Sequence, residues 1–177
     1  KVSKRLRVGF ASLHDLQATQ YKQSFDTWLP IVEASGGDMQ YTMQAMERHT
    51  PGSGHRHLME CLKASSTQTC LTHARAYLRF KHWVNEHPPL SQDERDRRAA
   101  LLAYLDHLMT TKKVKRTVPR AVLTHIAWAD AFLGEPLPWP TSHAQAQKRV
   151  TAHHRSNSYV QPSRAVFVYS AYMVKQM

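Results

Sequence analysis

Two cysteines in 177 residues, Cys61 and Cys70, are too few for a disulfide framework. No apolar run approaches the ~18 residues that a membrane-spanning helix needs. Nothing near the N-terminus has the charged, apolar and small-residue zones of a secretory signal. These absences exclude a disulfide scaffold and a membrane partner, and they lead us to expect a reducing, intracellular compartment, the nucleus if the host is eukaryotic. Acidic residues are scarce as well: 13 Asp and Glu stand against 24 Lys and Arg, giving a formal net charge of +11 and a pI of about 10.0. That imbalance favours a polyanionic partner, nucleic acid first. The sequence has no Gly-x-Ser-x-Gly elbow, no phosphate-cradling glycine loop and no His-Glu-x-x-His helix, and its carboxylates are too dispersed to nominate a catalytic pair. No enzyme confined to this chain is expected, and no cofactor.

What is present reads as a folded, soluble domain. The hydrophobic share is 42% and aromatics make up 9%, too apolar for a disordered polymer, while the mean hydropathy is -0.53. The chain opens at Lys1 and closes on Met177 after an apolar stretch, so we expect both ends to belong to something longer. Basicity is concentrated late: residues 1 to 70 carry eight Lys/Arg and six Asp/Glu, residues 71 to 110 six and five, and residues 111 to 177 ten and two. A small cluster at Lys1, Lys4, Arg5 and Arg7 reads as a solvated tail.

Apolar residues recur every three to four positions and predict helices almost throughout, with no convincing strand pair and no internal repeat. The helices run over Leu13–Leu29, from Gly37 or Asp38 to Arg48, His55–Ala64, Thr69–Glu86, Gln92–Met109, Val118–Leu133 and His143–His154. Gly36-Gly37, Pro51-Gly52-Ser53-Gly54, His87-Pro88-Pro89 and the stretch from Gly134 to Pro140 supply the breaks. Ser91 and Glu94 read as a capping box for the fifth helix. In the fourth, Tyr77, Phe80 and Val84 face a core, and Arg75, Arg79 and His82 face water. In the fifth, Leu101, Leu105 and Leu108 form the buried stripe, opposite Ala99, Ala103, Asp106 and His107.

The sixth helix is the most informative. Thr117 can cap it and Pro119 fits its first turn, while Val118, Val122, Ile126, Ala129 and Leu133 make a core stripe. Arg116, Arg120, Thr124, Ala127 and Ala131 gather on the far side, behind a loop carrying Lys112, Lys113 and Lys115. Such a helix suits a major groove, because cations neutralise phosphates and small side chains let the backbone approach base edges. His125, beside the stripe, reads as a hydrogen-bonded interior histidine.

From about Thr67 to Arg164 the order of features resembles the core-binding domain of the tyrosine recombinases. The pieces are Thr72 to Trp83, with its Thr and Phe-x-x-Trp pattern, Arg98 to Leu108, with Tyr-Leu-x-x-Leu, and Arg116 to Ile126, with Thr and Arg at the helix start. The resemblance implies a SAM-like all-α bundle over residues 66–160, followed, from 161 to 177, by a linker or the start of a catalytic domain; residues 1–65 lie outside it and read from their own pattern as a helical N-terminal extension. It also implies duplex DNA as the partner, with or without further copies of the chain on that DNA. Arg116, Arg120 and Thr124 would enter the major groove, Lys112, Lys113 and Lys115 would sit on phosphates, and Arg98, Lys148, Arg149 and Arg155 would add further contacts. One departure is decisive for chemistry: the family's catalytic box is His-x-x-Arg, and no His here is followed three residues later by Arg. Binding without strand cleavage is therefore expected.

Three other readings compete. His57 and Cys61 at i, i+4, with Cys70 and His73 at i, i+3, could supply four zinc-type ligands. A basic helical subunit of a ribonucleoprotein would explain the same charge through RNA phosphates. The aromatic tail of Phe167, Tyr169 and Tyr172, with Val166 and Val168, could dock on another protein. Within residues 1–65, Tyr21, Phe25, Trp28 and Leu29 read as core on one helix and Met39, Met43 and Met46 on another.

Overall fold

The computed structural model describes residues 13–112 and 114–156. The N-terminal basic cluster, Lys113, the aromatic tail and the segment 161–177 lie outside the described residues. Among the described residues the chain is all-helical: α1 (Leu13–Glu33), α2 (Asp38–His49), α3 (Ser53–Lys63), α4 (Thr67–Glu86), α5 (Glu94–Asp106), α6 (Val118–Leu133) and α7 (Ala144–Ser156). No helix among them is long and apolar enough to cross a membrane.

Helix ends differ from the sequence expectation where side chains or prolines intervene. α1 continues past Leu29 through Pro30 to Glu33. An interior proline forfeits one backbone hydrogen bond, to Asp26, but Asp26 is exposed and water can take its carbonyl, while Ile31 and Val32 just beyond are buried. α4 starts two residues early because Ser66 caps it, its Oγ accepting from the Thr69 N–H at 3.1 Å. The cap of α5 is Asp93, not Ser91: Asp93 Oδ1 accepts from the Asp96 N–H at 2.8 Å, and Ser91 Oγ only braces the Asp93 N–H at 3.2 Å. Past Asp106 the chain widens into a π turn, His107–Thr111, closed by the Lys112 N–H on the His107 carbonyl at 3.0 Å. The Thr110 hydroxyl donates to the Asp106 carbonyl at 2.8 Å, competing there with the α-helical ladder.

The chain divides into two compact units that interleave in sequence. The described part of the first comprises residues 13–79 and 125–138. Its core is Trp28, Ile31, Val32, Met43, Leu58, Leu62, Cys70, Ala74, Tyr77, Ala129 and Leu133. Trp28 is fully buried, donates its indole N–H to the Cys70 carbonyl at 3.1 Å, and meets the Phe132 ring at 4.9 Å. Residues 13–65, read as an extension, thus share one core with the start of α4 and the end of α6. The α6 C-terminus is closed by Gly134, at φ +64, with the Glu135 N–H on the Asp130 carbonyl at 3.0 Å. The Gly134 carbonyl then accepts from the Asp38 N–H at 3.1 Å, which ties α2 to α6.

The second unit comprises described residues 80–124 and 139–156. Phe80, Val84, Leu101, Tyr104, Leu105, Val122, Leu123, Ala146 and Val150 are buried in it. Phe80 meets Tyr104 at 5.1 Å and Trp139 at 4.7 Å, the latter nearly edge-on at 82°.

Candidate nucleic-acid interface

Charge is distributed very unevenly between the two units. The described span of the first holds six Lys/Arg and eight Asp/Glu, and that of the second, with Lys113 counted, holds twelve and five. Every residue proposed from the sequence to touch nucleic acid belongs to the second unit.

Arg116 and Thr117 form the turn before α6, where the Val118 N–H reaches the Lys115 carbonyl at 3.0 Å. Pro119, in the first turn, is fully buried and anchors the start of the helix. Arg116, Arg120, Thr124, Ala127 and Ala131 are all exposed, opposite buried Val122, Ile126, Ala129 and Leu133, as the helical period predicts. Lys112 and Lys115 are exposed in the connecting loop. The Thr124 hydroxyl donates to the Arg120 carbonyl at 3.2 Å, and its exposed oxygen retains the capacity to accept from another donor. Lys148 and Arg155 are exposed on α7.

Two of the expected contacts are already used inside the protein. Arg98 is only 24% exposed at its side chain, with Nη1 3.0 Å from His143 Nε2 and 3.8 Å from Glu94 Oε1, so it ties α5 to the start of α7. Arg149 pairs with the Asp106 carboxylate, a second link between α7 and α5. Both side chains therefore have a partner within the unit, Arg149 while still exposed. Sequence reasoning also passed over Arg97, which is buried with its guanidinium 5.8 Å above the Trp139 ring. Its place at i, i+4 and i+7 with Leu101 and Tyr104 was the available signal.

The four-ligand metal alternative is not assembled. Cys61 Sγ lies 3.7 Å from His57 Nε2, but the Cys70 thiol donates to the Leu62 carbonyl at 3.5 Å and His73 Nδ1 faces His125 Nδ1 at 3.0 Å. Among the described residues no three His, Cys, Asp or Glu side chains gather around a common point. Burial pushes both thiols above their ordinary range, with the Glu60 charge adding to the effect at Cys61, and a metal needs the thiolate. His125 is the hydrogen-bonded histidine expected from the sequence, and its partner His73 lies flat on Trp128, centroids 4.3 Å apart. A hollow of about 160 Å³ in the first unit, lined by Val32, Gln40, Met43, Glu47 and His55, is smaller than the ~300 Å³ at which ligand pockets usually begin.

No family model, no curated protein and no solved structure matches this chain.

Proposed function

We propose that the chain binds duplex DNA through the basic unit, in the manner of the core-binding portion of a tyrosine recombinase, and that it does so without cutting strands. One observation carries the reading: Arg116, Arg120 and Thr124 form an exposed strip at the start of α6, preceded by exposed Lys112 and Lys115. Arg120 and Thr124 stand one turn apart, ~6 Å along the axis, close to the spacing of two base-pair steps. Arg120 can take guanine O6 and N7 in bidentate fashion, and the Thr124 oxygen can accept from a base amino group. Arg116, in the turn before α6 instead of on the helix, moves from the groove to the phosphates beside Lys112 and Lys115, which set the register without reading sequence. Site-specific recombination or mobile-element integration is the process that the resemblance implies. With no His-x-x-Arg box in the sequence, the reading includes no strand cleavage by this chain.

Fluorescence anisotropy of the 177-residue chain against duplex DNA and matched structured RNA, across a salt series, tests this. The expected result is tighter binding to the duplex, with the logarithm of the association constant falling by ~0.9 per neutralised phosphate for each decade of salt. Preference for the RNA would replace the reading with a basic subunit of a ribonucleoprotein. No binding to either near physiological salt would remove nucleic acid altogether.

A further inference from the structure

An aromatic stack in the basic unit plays no part in the interface described above. His87 directly follows the last residue of α4, and its backbone N–H and its Nδ1 reach the same Trp83 carbonyl, at 2.9 and 3.0 Å. Its imidazole lies on the Trp83 indole with centroids 4.5 Å apart and planes 12° from parallel. Pro88 and Pro89 then end any helical continuation. Trp83 is half-buried and flanked by the rings of Tyr104 at 5.4 Å and His107 at 6.4 Å, whereas His87 is exposed. The stack is thus anchored inside and ends in an open imidazole face. His107 also opens the π turn whose closing bond leads into Lys112, and from there into Lys115 and Arg116. An exposed, backed ring face in the unit that carries the basic excess is what an unpaired nucleobase requires, because the base offers a π face and its backbone offers phosphates.

We infer that the outer face of His87, backed by Trp83, stacks an unpaired base of the bound DNA, at a frayed end or a single-stranded junction. The inference rests on the DNA-binding reading above and adds a second mode of contact to it. Stacking is tolerant of base identity, so this contact would position a junction without adding sequence preference. The twelve-to-five excess of basic over acidic residues in this unit favours nucleic acid over an acidic-poor peptide as the occupant.

The test compares three DNA probes by anisotropy with the full chain: a blunt duplex, the same duplex with a short thymine overhang, and one whose overhang is abasic. The abasic tail keeps every phosphate and removes only the rings. The thymine overhang is expected to bind about fivefold or more tightly than the abasic one. His87→Ala should abolish that difference, His87→Phe should preserve it, and His87→Lys, which keeps a cation without a ring, should behave like alanine. Because His87 is exposed, unchanged thermal melting serves as the control for folding. Equal binding of the two overhangs, with salt-dependent binding of the blunt duplex intact, overturns the inference and leaves the DNA reading standing. Retention of the difference by His87→Lys but not His87→Phe overturns stacking in favour of charge. Failure to bind any of the three probes overturns both readings.

Discussion

Gly37 shows how sharply a single residue can be constrained in the first unit. A Cβ there would stand 2.3 Å from the Leu133 carbonyl oxygen, a backbone atom at the end of α6 that cannot step aside. Its neighbour Gly36 has φ +73 but open space around the missing Cβ. The two glycines are adjacent in sequence and were legible only as one turn signal, because period and propensity say nothing about which backbone passes close by. Gly37→Ala is expected to destabilise by roughly 2–3 kcal/mol through forced displacement of α2 from α6. Gly36→Ala should cost only the left-handed backbone penalty of about 1 kcal/mol. Urea unfolding of the two variants checks this, and an equal or larger loss for Gly36→Ala would contradict the close approach. The buried Arg97 and the Trp83–His87 stack carry a related lesson. Both had visible spacing, i, i+4 in each case, yet an arginine beside Arg95 and Arg98 reads as surface, and a histidine before Pro-Pro reads as a helix stop.

Among elements, the helices were legible with ends displaced by up to four residues, because each buries one stripe at the 3.6 period and is bounded by glycine, proline or hydroxyl residues. The errors came from local rivals to the general rule: buried Ile31 and Val32 carry α1 through Pro30, and Asp93 outcompetes Ser91 as the cap of α5. Pairing between elements was not legible. His73 on α4 and His125 on α6 meet Nδ1 to Nδ1 at 3.0 Å, an arrangement that one proton can bridge and two protons break. Burial lowers the affinity of both rings for a proton, and at His73 the neighbouring His125 lowers it further. The unfolded chain then takes up protons first, near the ordinary value of 6.5. The stability that the neutral pair contributes is therefore fully present above that pH and is lost as pH falls through it toward the lower folded values. Denaturant midpoints at pH 7.5 and 5.5 should fall more for the native sequence than for His125→Gln, which cannot be protonated. An identical fall in both would place the pH dependence elsewhere.

At the scale of the whole molecule, composition gives a net charge of +11, and the structure adds where that charge resides. The sequence segments 1–65 and 66–160 and the two compact units are different divisions of the chain, since the units exchange segments within α4 and within α6. A hydrophobic pattern marks which face of a helix is buried but not which distant segment covers it, so Trp28 could be read as core while its partners Cys70 and Phe132 could not. The interleaving separates a mildly acidic unit from a strongly basic one. Within the basic unit Arg98 is half-buried and Arg149, though exposed, is paired with Asp106, while the turn before α6 and its first exposed positions also carry cations.

The most direct test of the central claim is the salt dependence of duplex DNA binding by two double variants, one in each unit. Arg116→Ala with Arg120→Ala removes cations from the proposed interface, and Arg48→Ala with Arg75→Ala removes the same charge from exposed positions of the acidic unit. The account predicts that the first pair lowers the slope of log K against log salt by ~0.9, through Arg116, and weakens binding, while the second leaves both unchanged. Equal effects from the two pairs, or no effect from the first, would contradict a DNA interface built on α6.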